Sequence, residues 1–183
     1  MIHWRLLGKT FCYWPAKPTG IIEIIGGSYI SFKPHISYKR LLDSLAARNF
    51  ALHVWSYLPN FDHQFQANQA WKDLRLCKKK LIERVGETPN SFRLGHSLGC
   101  KLHLLSPDKG RNCEGLISLS FNNFTAKKSV PLLGKITSKM NIQKEFKPSP
   151  KETIALISEQ YKQPNNLLIG FSDDNLDQSN QLL

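Results

Sequence analysis

Residues 91–105 read SFRLGHSLGCKLHLL, and the architecture follows from the five residues between Gly95 and Gly99. These five match the pattern Gly-x-Ser-x-Gly, with an apolar stretch before it and a helical pattern after it. In that context the serine occupies a strained turn from strand to helix, and its hydroxyl projects above the sheet. The flanking glycines are needed because larger side chains would collide with neighbouring strands. The pattern therefore predicts a nucleophile elbow at Ser97, and the alternative is an ordinary strand-to-helix turn of small residues.

Apolar stretches and amphipathic helical patterns alternate on both sides of this motif. An apolar run bounded by glycine or proline predicts a buried strand, and apolar residues three and four apart predict a helix. The predicted strands are 20–25, 51–57, 91–95, 114–119 and 167–171, with an N-terminal hairpin of 4–7 and 11–14. The predicted helices cover 38–46 and 62–85, and two more begin near Ser97 and, with a capping box, at Ser149. This order predicts the α/β class, a mostly parallel sheet with helices on both faces.

The length of 183 residues fits one domain spanning residues 1–183. Residues 123–148 have no clear period, so we predict an irregular, lysine-rich excursion there. The formal charge is +11, and between Lys127 and Lys151 seven lysines accompany one acid, Glu145. No arginine-rich stretch is interleaved with aromatics, which disfavours a nucleic-acid partner. A solvated face is the simplest interpretation of the lysines, and contact of Lys127–Lys151 with an anionic surface is the alternative.

The four cysteines, Cys12, Cys77, Cys100 and Cys113, form no Cys-x-x-Cys pair. This spacing excludes a disulfide scaffold and disfavours a zinc module, and we expect neither a metal nor another cofactor. No stretch approaches the roughly 18 apolar residues of a membrane span. The first residues show no apolar region, so we expect neither a secretory signal nor a transit peptide there. We therefore expect a soluble, cytoplasmic protein.

Two backbone segments are candidates for an oxyanion hole around Ser97. The N–H of Leu98 directly follows the serine, at a helix start where N–H groups lack helical partners. In hydrolases of this arrangement, the loop after the first parallel strand supplies the second donor. Here that loop is Gly26–Tyr29, so Ser28 or Tyr29 is the candidate donor. The alternative is a glycine turn that only leads out of the strand.

An acid and a base would complete such a site. Asp173 and Asp174 follow the last predicted strand, which is where hydrolases with the chain order Ser, Asp, His carry the acid. The alternative is an acidic loop that caps a turn. None of the six histidines, at positions 3, 35, 53, 63, 96 and 103, follows them. We expect His96 and His103 to be structural, and without a base Ser97 is a weak nucleophile. Three functions stay open: a serine hydrolase for an ester or thioester of a small molecule or acyl lipid, a non-catalytic binding or scaffold protein, and a basic surface protein whose 127–151 lysines bind anionic lipid or RNA.

Three segments carry a resemblance that goes beyond the serine motif. They are Phe92–Leu105 (FRLGHSLGCKLHLL), Leu116–Asn123 (LISLSFNN) and Leu167–Gln178 (LLIGFSDDNLDQ). These segments are similar to the domain-of-unknown-function 1350 family of cyanobacteria and chloroplasts. The resemblance implies an α/β-hydrolase-like fold with Ser97 at the nucleophile position, and a stromal location in a plastid lineage. Family members continue with a further strand and a histidine-bearing loop, so we expect this chain, which stops at Leu183, to lack the last strand and helix.

Overall fold

The computed structural model describes residues 2–129 and 145–183 of the chain. The strands are β1 Arg5–Leu7, β2 Thr10–Tyr13, β3 Ile21–Ile25, β4 Ala51–Trp55, β5 Ser91–His96, β6 Gly115–Leu119 and β7 Asn166–Ile169. The helices are α1 Pro34–Ser37, α2 Lys39–Ala47, α3 His63–Val85, α4 Leu98–Leu104, α5 Ala126–Ser129 and α6 Pro150–Gln160, and a 3-10 turn covers Ser179–Leu182. Among these helices, none is long and apolar enough to cross a membrane.

The strands form one sheet in the order β1-β2-β4-β3-β5-β6-β7. The hairpin β1–β2 is antiparallel and joins β4 antiparallel, whereas β4, β3, β5, β6 and β7 are mutually parallel. Every residue of β3 and of β4 is buried, as expected for parallel strands that helices cover on both faces. The predicted α/β class and the N-terminal hairpin are confirmed.

Alternate side chains of β3 enter different cores on the two faces of the sheet. Ile25 packs in a cluster with residues of α3 and α4, including Ala67 and Leu102. Ile24 packs in a second cluster with Leu42 of α2. This alternation follows from the two-residue period of a strand, which sends neighbouring side chains to opposite faces.

The structure changes several predicted boundaries. The strand predicted at 51–57 ends at Trp55, and the one predicted at 167–171 covers Asn166–Ile169. Within the predicted excursion at 123–148, residues Ala126–Ser129 form the short helix α5. Residues 130–144, which include three of the late lysines, lie outside the described residues. The single-domain boundary and the anionic-surface interpretation of Lys127–Lys151 therefore stay predictions.

The register brings three strand ends to one edge of the sheet. Ile25 of β3 is paired with Gly95 of β5, and Leu119 of β6 is paired with His96 of β5. The loop after β3, the turn after β5 and the first residue after β6 therefore meet at the carboxyl edge of the parallel strands. Ligands bind at this edge in open α/β sheets.

Candidate functional site

Ser97 is the single residue between β5 and α4, and its backbone conformation is one that few residues other than glycine adopt. Its φ is 55° and its ψ is −121°, and a serine held there stores local strain. The Ser97 N–H donates to the Leu119 carbonyl oxygen over 2.9 Å, which ties the turn to β6. The turn therefore has the sharp, strained geometry that presents a serine hydroxyl at the sheet edge.

The glycines of the motif let α4 begin in close contact with the sheet. A Cβ on Gly95 would lie 2.5 Å from the Cys100 Cα. A Cβ on Gly99 would lie 1.9 Å from the carbonyl oxygen of Ile25. In both cases the obstacle is backbone, which no side-chain rotation can relieve. Glycine is therefore required at these two positions by the approach of helix to strand.

The predicted oxyanion donors share one cavity. Ser28, Tyr29 and Leu98 all line a space of about 220 Å³ at the carboxyl edge of the sheet. Within residues 2–129 and 145–183, the backbone N–H groups of these three residues donate no hydrogen bond. The Tyr29 side chain is 72% exposed, and its hydroxyl donates to the Ser129 carbonyl oxygen over 2.8 Å. Residues whose backbone N–H groups have no acceptor in the described part of the chain therefore line the cavity next to the serine turn.

A tyrosine holds the glycine loop against the serine turn. The Gly27 N–H donates to the Tyr38 hydroxyl oxygen over 2.8 Å, and that oxygen lies 2.8 Å from His96 Nδ1. Burial raises the pKa of Tyr38 to about 12, so its hydroxyl is protonated at neutral pH. Burial also lowers the pKa of His96. The Tyr38 hydroxyl oxygen therefore accepts from Gly27 and shares a hydrogen bond with Nδ1 of a neutral His96, in which the tautomer of the ring decides which atom donates.

This link narrows the choice of oxyanion donor. The Gly27 N–H is occupied by Tyr38, so the free donors of the loop are those of Ser28 and Tyr29. The spacing of Tyr38 from the leucines of the predicted helix 38–46 indicates only an apolar position on its buried face. In the structure it precedes α2, and its hydroxyl faces the loop. A tyrosine among otherwise aliphatic positions was the only available signal for this role.

We expect Tyr38→Phe to destabilise the chain by about 1–2 kcal/mol, because it leaves the Gly27 N–H and His96 Nδ1 without their partner. Equilibrium unfolding in urea measures the loss. Tyr13→Phe is the matched control, because the half-buried Tyr13 makes no hydrogen bond through its hydroxyl in the described part of the chain. The control should change stability by less than about 0.5 kcal/mol. Equal effects of the two changes would argue against the link.

Of the two candidate acids, Asp174 is the one held at the sheet edge. Ser120, the first residue after β6, donates its hydroxyl to Asp174 Oδ2, and the Leu176 N–H donates to Oδ1 over 2.9 Å. The Ser120 hydrogen bond and then that of Leu176 lower the pKa of Asp174, so it is an anion at neutral pH. Its charge in turn opposes the burial that lowers the pKa of His96. Asp173 is exposed and makes no hydrogen bond or ion pair within the described residues.

None of the six histidines, all of which the structure describes, hydrogen-bonds to the Ser97 hydroxyl. His53 accepts a hydrogen bond at Nε2 from Trp14 Nε1 over 2.9 Å. Burial lowers the pKa values of His53 and His103 to about 3, so both are neutral core residues. His63 lines the 220 Å³ cavity together with Lys101, and the sequence analysis singled out neither of them.

Comparison with solved structures identifies the fold. The chain is similar to carboxyl esterase 2 from Tuber melanosporum, with a TM-score of 0.63 and 18% identity, covering 97% of this chain and 68% of that one. It is also similar to the fluorophosphonate-binding serine hydrolase F of Staphylococcus aureus, with a TM-score of 0.60 and 15% identity, covering 98% and 82%. At these identities the likeness shows an α/β-hydrolase fold.

A third structure, designated a thioesterase, from Silicibacter sp. TM1040, has a TM-score of 0.64 and 16% identity. The match covers 94% of this chain but only 65% of that protein, so the chain spans less than two thirds of its length. No curated protein matches the sequence. A family model described as protein of unknown function (DUF1350) matches residues 3–183.

Proposed function

The chain belongs to the DUF1350 family of proteins of unknown function, and from that premise we propose that Ser97 is the nucleophile of a serine hydrolase for ester or thioester substrates. The observation that carries this proposal is the strained positive φ of Ser97 on a turn beside free N–H donors. A strained non-glycine residue persists only where its surroundings hold it, and such residues cluster at functional sites. The cavity lined by Ser28 and Leu98 gives an acyl group a place to bind.

The proposed chemistry is acyl transfer through the serine. Ser97 Oγ attacks the carbonyl carbon while a general base takes its proton, and the carbonyl oxygen becomes an oxyanion that accepts from the Leu98 N–H and from the N–H of Ser28 or Tyr29. The base returns the proton to the alcohol or thiol as its bond to the acyl carbon breaks, and water then hydrolyses the acyl-serine. Removal of one oxyanion donor in such sites lowers the rate about 10²- to 10³-fold.

The proposal also assigns Asp174, rather than Asp173, as the acid that orients a base. It is supported by the hydrogen bonds from Ser120 and Leu176, which fix the Asp174 carboxylate at the same edge as Ser97. A histidine would be the usual acceptor of the serine proton. None of the histidines in the sequence follows Asp174. The second candidate function, a non-catalytic binding or scaffold protein, is favoured by the absence of a histidine bonded to Ser97 in the described residues.

Fluorophosphonate labelling separates the two functions, because it reports an activated serine without knowledge of the substrate. If a base activates Ser97, as the hydrolase proposal requires, the folded chain is labelled and Ser97→Ala lowers the labelling to background. Ser158→Ala, an exposed position on α6, is the matched control and should label like the unchanged chain. A chain that circular dichroism shows to be folded and that takes up no label would overturn the hydrolase proposal and support the scaffold alternative.

A further inference from the structure

We propose that the 220 Å³ cavity beside Ser97 binds a carboxylate on the acyl part of the substrate, through Lys101 and His63. The cavity shares Ser28 and Leu98 with the proposed oxyanion donors, and although Ser97 is not among its lining residues, Leu98 places the cavity next to the serine turn. That the carboxylate belongs to a substrate rests on the proposed function. Binding of the anion itself does not depend on hydrolysis.

Lys101 is a buried cation in the wall of this cavity. Its side chain is 1% exposed, its Nζ donates to the Pro148 carbonyl oxygen over 3.2 Å, and it lies 5.9 Å from the centroid of the Phe146 ring. An ammonium group has three N–H donors, and in the described residues Pro148 is its only hydrogen-bonded acceptor. No carboxylate lies within ion-pair distance of it there. A buried charge without a counterion is costly unless a ligand supplies one.

The nearest acid does not fill that role. The Glu145 carboxylate opposes the effect of burial on Lys101, but burial prevails and lowers the pKa of Lys101 to about 8. Glu145 Oε1 instead accepts from the backbone N–H groups of Ala126 and Phe146, over 2.7 and 2.8 Å. Lys101 is therefore mostly charged at neutral pH, and two of its three N–H donors have no acceptor in the described residues.

His63 adds a second donor to the same wall. Its ring stacks on Phe146 with centroids 4.2 Å apart, and the residue is 3% exposed. Neither ring nitrogen has a hydrogen-bond partner in the described part of the chain. Burial, and then the charge of Lys101, lower the pKa of His63 to about 3, so the ring is neutral and carries one N–H. Buried polar groups are normally hydrogen-bonded, and an acceptor oxygen in the cavity would satisfy this one.

The third polar group of the wall is Asn123. Its Nδ2 donates to the Pro150 carbonyl oxygen over 2.9 Å, while its buried Oδ1 has no partner in the described residues. Of the eight unpartnered buried side-chain atoms there, three belong to His63 and Asn123. The Asn123 oxygen would accept from a hydroxyl or amide N–H on the same ligand. One lysine balances a single negative charge, which favours a carboxylate over a doubly charged phosphate.

Binding is tested in the Ser97→Ala chain, so that no hydrolysis interferes. The probe is monomethyl glutarate, which has one ester and one carboxylate, and the control ligand is methyl pentanoate, which has the same chain without the charge. We expect calorimetry to show binding of the acid, weakened about 10- to 100-fold by Lys101→Met, because a charge-assisted hydrogen bond is lost. Lys79→Met, at an exposed lysine of α3, is the matched control and should bind as before.

His63→Phe provides a second variant that keeps the ring stacked on Phe146 but removes the N–H, and it should also weaken binding of the acid. Equal affinity for the two ligands, no effect of either substitution, or binding of inorganic phosphate alone would overturn the inference. Labelling and ligand binding together distinguish a missing carboxylate site from a missing hydrolase activity. Labelling of Ser97 without selective acid binding retains the hydrolase, whereas acid binding without labelling retains the carboxylate site alone.

Discussion

Gly99→Ala is expected to prevent stable folding. The new Cβ would lie 1.9 Å from the Ile25 carbonyl oxygen and 2.8 Å from that of Gly26. Both atoms belong to the backbone of the central strand β3 and its exit, so α4 would have to move away from the sheet. That movement would open the core around Leu98 and Leu102, which pack with Ile25. We expect a loss of more than about 4 kcal/mol, measured by urea unfolding or, if no folded chain remains, by circular dichroism.

Gly86→Ala is the control for the intrinsic effect of adding a methyl group at a glycine. Gly86 ends α3 with a φ of +77°, and nothing lies within 4 Å of its added Cβ. Only the cost of a left-handed alanine applies, about 1–2 kcal/mol. If Gly99→Ala were no worse than this control, the close approach of helix and strand would not be the reason for glycine at position 99.

The parts of the fold that depend on local pattern could be predicted from the sequence. The Gly95–Gly99 motif is recognisable in the sequence because the turn itself and the close approach of Gly95 to Cys100 lie within six consecutive residues. The capping box at Ser149 likewise forms from four consecutive residues, with Ser149 accepting from the Glu152 N–H over 3.3 Å. Interactions of this range leave a signal in residue type and spacing.

Contacts between distant segments left no such signal. Tyr38 and His96 are 58 residues apart, and only the finished sheet brings the loop after β3 to the turn after β5. Lys101 lies in an apolar helical stretch, where the sequence gives no reason to expect a buried cation. The choice of Asp174 over Asp173 depends on Ser120, 54 residues earlier in the chain. The position of the candidate site could therefore be predicted from the sequence, whereas the polar contacts around it required the three-dimensional arrangement.

A buried charge cluster under α4 depends on the same kind of distant contact. Arg93 of β5 is paired in register with Glu23 of β3. Its guanidinium donates to both oxygens of Asp108, over 2.9 and 2.6 Å, whereas its Nε lies 3.4 Å from Glu23 Oε2. Burial raises the pKa of Glu23. Burial alone would also raise the pKa of Asp108, but the hydrogen bond and the charge of Arg93 hold the pKa of Asp108 well below its usual range. Asp108 is therefore the main counterion of Arg93.

Asp108→Asn is expected to cost about 3–5 kcal/mol at neutral pH, because it leaves Arg93 buried without its main counterion. The loss of stability should be close to about 3 kcal/mol, because Glu23 still places a second carboxylate beside Arg93. Because the pKa of Asp108 is lower in the folded state, its contribution is present above the unfolded value of about 3.9 and is lost progressively as the pH falls from there through the folded-state pKa. Urea unfolding from pH 7 to pH 3 should therefore show an acid-dependent loss that is smaller by about 1 kcal/mol in Asp108→Asn than in the unchanged chain. Asp43→Asn is the control, because it removes only the exposed pair with Lys39 and should cost less than about 0.5 kcal/mol of stability. Two results would show that Asp108 is not the counterion on which Arg93 depends. The Asp108→Asn chain would be as stable as the control at neutral pH, or its stability would change with pH as in the unchanged chain.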